Sequence, residues 1–234
     1  MPIARKIALI RERILAAAQR VGRNPDDITL MAVSKMFAPE LIREAYDCGL
    51  RQFGENRVQE FAEKIVALSD LRGAEWHMIG HLQTNKASKA AELFTAIDSV
   101  DSLRLAQKLN DSARQINKKL GALIEINVGG EDAKDGLSYD SSELERLLDA
   151  SPRLEYLKFR GLMTIPPFFE DPQQARPYFR KLRELRDRIA ARKPATINIE
   201  VLSMGMSHDF EVAIEEGSTC VRVGTAIFGE RVRG

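Results

Sequence analysis

Short runs of apolar residues alternate along this chain with longer stretches in which apolar positions recur every three to four residues. The short runs predict strands over 28–34, 51–54, 75–79, 95–97, 122–128, 157–163, 197–202 and 220–223. Between them the longer period predicts helices over 39–48, 57–68, 85–93, 102–116, 142–150 and 172–192, the first stopped by Gly49. Ahead of the first strand, Ile3, Ile7, Ile10, Ile14, Ala18 and Val21 form one apolar stripe among Arg5, Lys6, Arg11, Arg13 and Arg20. Residues 1–22 therefore read as an amphipathic helix laid on a core, although a basic transit peptide has a similar pattern. After the seventh strand, Met204, Gly205, Met206 and Ser207 read as a loop, with Ser207 placed to cap a short helix that ends before Gly217.

Regular strand–helix alternation implies a parallel sheet. Eight repeats within roughly 200 residues match a (β/α)8 barrel, whereas a doubly wound sheet more often stops at five or six strands. No linker or low-complexity stretch interrupts the pattern, so residues 1–234 are expected to form a single barrel domain with the extra N-terminal helix packed on it. In such a barrel, chemistry collects at the C-terminal ends of the strands, and the loops after strands seven and eight commonly bind phosphate. Those loops hold Ser207 and the pair Gly224–Thr225. Glycine there lets backbone N–H groups approach an anion.

Charge excludes some partners. Lys and Arg number 35 against 34 Asp and Glu, a formal net charge of +1, so no polyanion-binding or basic membrane-binding surface is expected. Cys48 and Cys220 are the two cysteines, and His77, His81 and His208 the three histidines; none shows metal-ligand spacing, and no disulfide framework is implied. No apolar run approaches a membrane span and no secretory signal opens the chain, so a cytoplasmic protein is expected.

Lys35 ends the first strand between Val33 and Met36–Phe37. An apolar setting disfavours the ammonium and keeps a lysine near its nucleophilic form, which suits a Schiff base with a phosphorylated carbonyl compound. A sugar-phosphate aldolase and a pyridoxal 5′-phosphate (PLP) protein both fit that description. In "CVRVGTAIFG", Arg222 alternates with Val221 and Val223, so it lies on the opposite face from both. It either pairs with an acid on the outer layer or points inward, where its permanent charge would keep a pyridine nitrogen unprotonated and the ring a weak electron sink. Asn56 follows the second strand and could bond a ring substituent or cap a helix; His77 reads as a satisfied core histidine; Glu131, Lys134 and Gly136 read as a polar turn.

The stretches "AVSK", "FGENRVQE", "WHMIGHLQTNK", "GLMTI", "LSMGMSHDFEVAI" and "GSTCVRVGTAIFG" together resemble the pyridoxal phosphate homeostasis proteins over nearly the whole chain. The resemblance implies a fold-type III barrel like the N-terminal domain of alanine racemase, with Lys35 carrying PLP as a Schiff base. It also implies Ser207, Gly224 and Thr225 at the phosphate, Arg222 near the ring nitrogen, and Asn56, Ile79 and Met204 around the ring. Two stretches depart from the family pattern. "NVGGEDAKDG" has Gly129–Gly130 where a serine and a variable residue are usual, which bears on any role for Lys134, and "SKMFAPE" is unusually apolar. A carrier that buffers PLP and delivers it to PLP-dependent apo-enzymes, without robust turnover, is the expected function, and a monomer the expected state. The alternatives are a racemase-like fold-type III enzyme and an aldolase. A racemase needs a second base, usually a tyrosine from a separate β-domain, and Gly234 lies only eleven residues past the last predicted strand, so no such domain is expected.

Overall fold

A computed structural model describes residues 1–130, 135–192, 197 and 199–230. Helix α1 (Ile3–Arg20) buries Ile3, Ile7, Ile10, Ile14, Ala17 and Ala18, the predicted stripe, while Val21 falls at its C-cap and stays exposed. Strand β1 (Thr29–Val33), helix α2 (Pro39–Asp47), β2 (Gln52–Glu55), α3 (Val58–Lys64), β3 (Glu75–Met78), α4 (Ala87–Leu93), β4 (Ala96–Val100), α5 (Leu103–Gln115) and β5 (Leu120–Asn127) follow in strict alternation. After a two-residue strand β6 (Leu137–Ser138) come α6 (Ser142–Ala150), β7 (Leu157–Met163), α7 (Arg176–Ala191), β8 (Val201–Met206), α8 (Phe210–Glu215), β9 (Cys220–Val223) and α9 (Thr225–Phe228).

All strand pairings are parallel, and they close: β1–β2–β3–β4–β5–β7–β8–β9 and back to β1, with β6 appended to β5. This is the predicted eight-stranded barrel, with α1 laid across α2, α8 and α9. Arg13 and Arg20 of α1 reach Glu211 (2.9 Å) and Glu215 (2.7 Å) of α8.

Three expectations need correction. The seventh barrel strand lies four residues later than predicted, at Val201–Met206, so Met204, Gly205 and Met206 are strand and not loop; residues 193–196 and 198 lie outside the described residues. Gly205 misled because it sits in the strand as an irregularity: its φ is +94°, and a Cβ there would come within 2.6 Å of Ala213 Cβ and 2.9 Å of Phe210 Cα. Only glycine lets α8 come so close. Ser207 does not cap α8, whose N-cap is Asp209; the Asp209 carboxylate instead accepts from the Met206 N–H (2.6 Å). Strand β4 runs past 97 through Asp98, Ser99 and Val100, the polar pair having hidden it.

Most apolar side chains fill the layer between barrel and helices. Inside the barrel a small apolar cluster of Met31, Val33, Ile79 and Cys220 shares the space with buried polar groups. His77 Nδ1 lies 2.9 Å from Asp98 Oδ2, both residues buried, so His77 is the satisfied core histidine anticipated from the sequence. Burial pushes its imidazolium down, but Asp98, with Glu75 behind it, raises it from 6.5 to about 9. Because the folded value exceeds the unfolded one, the pair stabilises the barrel fully below pH 6.5, and this contribution is lost as pH rises to about 9. Urea unfolding across that interval is expected to show a fall of roughly 3 kcal/mol, at about 1.4 kcal/mol per unit. A flat profile would contradict the pairing.

Candidate functional site

Lys35 leaves the C-terminal end of β1 in a tight turn closed by Phe37 N–H donating to Ser34 O (3.1 Å), and its side chain is half-buried. Neighbouring strands end beside it. Ser34 N–H donates to Gly54 O (2.9 Å) on β2, and Ile79 N–H at the end of β3 donates to Glu55 O (2.9 Å). Asn56, just past β2, packs on Gly80 so tightly that a Cβ at that glycine would lie 2.6 Å from Asn56 O. Asn56 is not a helix cap, since Arg57 holds that position without any side-chain cap.

On the other side of β1, the loops after β8 and β9 meet. Thr225 Oγ1 and Ser207 Oγ are 3.3 Å apart, and the backbone of Gly224 packs on Val33, where an added Cβ would come within 3.3 Å of both Val33 Cβ and Val33 O. Thr225 opens α9, and the first N–H groups of a helix have no intrahelical carbonyl to donate to. Hydroxyls and backbone donors thus gather just past the end of β9, the strand paired with β1, after which Lys35 follows.

Beneath this mouth Arg222 points into the barrel and is 3% exposed. Its guanidinium donates to Ser203 O (2.6 Å), Ser203 Oγ (2.8 Å) and Thr164 O (2.8 Å), so the outer-layer ion pair is not what holds it. Ile79 belongs to the interior cluster. Met204 faces the other way: its side chain is buried in the barrel–helix layer, and a contact from it to a molecule in the mouth would run through the backbone.

Sequence reasoning missed Glu125. It lies between Ile124 and Ile126, which face the helices, and therefore points inward from β5. Its Oε2 is buried without a hydrogen-bond partner among the described residues, and burial, reinforced by Asp135 and Asp101 and opposed by Arg222, pushes the carboxyl up to about 7. A charged residue inside the apolar run "ALIEINV" was the available signal. Of the polar turn after β5, Glu131 and Lys134 lie outside the described residues, and Gly136 has a φ of +103°. A cavity of about 350 Å³ opens at the opposite end of the barrel, between Thr29, Gln52, His77, Asp98 and Cys220, away from Lys35.

A lysine, a cup of hydroxyls and amides and, beneath them, an inward arginine thus stand together at the C-terminal end of a parallel barrel. Residues 7–232 match the family model described as alanine racemase, N-terminal domain. The chain is 48% identical to the pyridoxal phosphate homeostasis protein of Aquifex aeolicus over 231 residues, covering 99% of each, and 45% identical to that of Escherichia coli K12, covering 98% of this chain and 97% of the other. PipY of Synechococcus elongatus, solved with PLP bound, superposes with a TM-score of 0.84 at 35% identity, covering 97% of this chain and all of that one. Alanine racemase from Streptomyces coelicolor shares the fold, with a TM-score of 0.71 at 20% identity over 95% of this chain and 58% of its own. The chain belongs to the pyridoxal phosphate homeostasis protein family.

Proposed function

We propose that this protein binds PLP at the C-terminal mouth of its barrel, linked to Lys35, and serves in the cytoplasm as a monomeric carrier that buffers the cofactor and passes it to PLP-dependent apo-enzymes. The observation that carries this reading is Arg222, buried inside the barrel and pinned by Ser203 and Thr164 below the cup of Ser207, Gly224 and Thr225. The residues fit the cofactor: the cup suits its phosphate, Lys35 its aldehyde, and Glu125 Oε2, without a partner among the described residues, leaves a buried hydrogen-bonding position open inside the same barrel. Arg222 would face the ring nitrogen, with Asn56, Ile79 and the Met204 backbone bordering the ring. When bound, PLP supplies a carbonyl that condenses with an amine and a ring that withdraws electrons. Beside a permanent cation the ring nitrogen stays unprotonated, and that withdrawal is weak. The site is built to hold more than to activate.

Thr225→Ala is expected to weaken PLP modestly, by about 1 kcal/mol, the worth of one hydrogen bond. Gly224→Val, pressing on Val33, is expected to weaken it severely. Equal affinity for PLP and unphosphorylated pyridoxal would show that the cup does not read phosphate.

Carrier and enzyme are separated by incubating loaded protein with a panel of L-amino acids while following deuterium exchange at Cα, and in parallel with a PLP-free apo-enzyme while following its activation. Loss of a positioned base typically costs about 10²–10⁴ in rate, so slow residual exchange is compatible with a carrier. Turnover of any amino acid at rates ordinary for PLP enzymes would overturn the reading.

A further inference from the structure

Met36, directly after Lys35, has a φ of +64°. Among the described residues only Asn117 shares that left-handed conformation without being glycine. Asparagine tolerates it through its short polar side chain, and methionine has no such device. Packing does not force it either, because the Met36 side chain is 61% exposed.

The turn is held from outside. Met36 N–H donates to Glu60 Oε1 (2.5 Å) of α3. Glu60 is paired with Lys64 one helical turn on (2.5 Å), and the Lys64 ammonium donates to Ser34 O (3.0 Å) and to both carboxylate oxygens of Glu55 (3.3 Å each). Glu55, fully buried at the end of β2, accepts from Ser34 Oγ (2.7 Å). One network of three charged side chains therefore grips both residues that flank Lys35, through the backbone carbonyl and hydroxyl of Ser34 and the N–H of Met36. Strain kept at a functional position persists only where the surroundings over-determine it, and here the surroundings are these three residues.

We propose that Glu55, Lys64 and Glu60 form a clamp that imposes the strained turn at Met36 and so fixes the direction in which Lys35 leaves the barrel rim; they are positioning residues for cofactor capture. This rests on the PLP reading above.

The test couples positions 36 and 60. Glu60→Ala should weaken PLP binding roughly tenfold, the scale of one charge-assisted hydrogen bond. Met36→Gly alone should change it little, and Met36→Gly in the Glu60→Ala background should restore most of it, because glycine adopts the left-handed turn without the clamp. Lys64→Arg should retain more affinity than Lys64→Ala. Hydrogen exchange at the Met36 amide of cofactor-free protein reads the clamp independently: slow in the wild type, fast in Glu60→Ala. Wild-type affinity in folded Glu60→Ala, absence of rescue by glycine, or an unprotected Met36 amide in the wild type would each overturn the proposal. A protected Met36 amide in a wild type that does not bind PLP would instead overturn the PLP reading and leave the clamp in place.

Discussion

Lys35→Ala is expected to give a folded, colourless protein whose affinity for PLP falls roughly 100-fold, about 2.7 kcal/mol. The side chain stands half-buried on a turn at the barrel rim, so its truncation removes the amine without opening a core cavity. Ser207, Thr225 and Arg222 remain in place to bind a phosphorylated pyridine without a covalent link. Titration with PLP followed by desalting should leave the wild type with its visible absorbance and the variant with none. Retention of the chromophore by the variant would mean that another amine carries it.

Gly161→Ala is expected to be the most damaging glycine-to-alanine change among the described glycines. Gly161 lies on β7 opposite Val201 of β8, and a Cβ there would fall on the Val201 carbonyl, with the Val201 carbonyl carbon at 2.6 Å and its Cα at 2.8 Å. Backbone must move, and it is the β7–β8 backbone that leads directly into Thr164 and Ser203, the two residues that pin Arg222. Overpacking in a core typically costs 1–3 kcal/mol, and displacement of paired strands should place this variant at about 4 kcal/mol or more. A urea midpoint within error of the wild type would show that β7 and β8 do not meet as described.

The barrel was legible because its strands carry continuous apolar runs and its helices a clear apolar face; strands 157–163 and 220–223 needed no revision. Where the reading slipped, a local signal competed with a tertiary one. Gly205 has the local signature of a turn, yet its role is to admit α8 against a strand, which no sequence window reports. Asp98 and Ser99 look like strand terminators until His77 and the Gly80 carbonyl are found beside them (Ser99 Oγ to Gly80 O, 2.6 Å). The rim residues Lys35, Asn56, Ser207, Gly224 and Thr225 could be gathered from topology alone, since strand ends share one mouth. Period-two alternation separated Arg222 from Val221 and Val223 but left open which face was the interior, and the same pattern set Glu125 apart from Ile124 and Ile126 had the charge in its strand been followed. The clamp on Met36 was not legible, because it joins Ser34, Glu55, Glu60 and Lys64 across three elements and acts on a residue whose type gives no hint of a left-handed turn.

PLP is expected to join this chain at Lys35. Borohydride reduction of the PLP-loaded protein, followed by proteolysis and mass analysis of the peptides, tests it most directly. A stoichiometric phosphopyridoxyl group on the peptide containing Lys35 is the predicted result; a group on any other lysine, or no modified peptide from protein saturated with PLP, would contradict it.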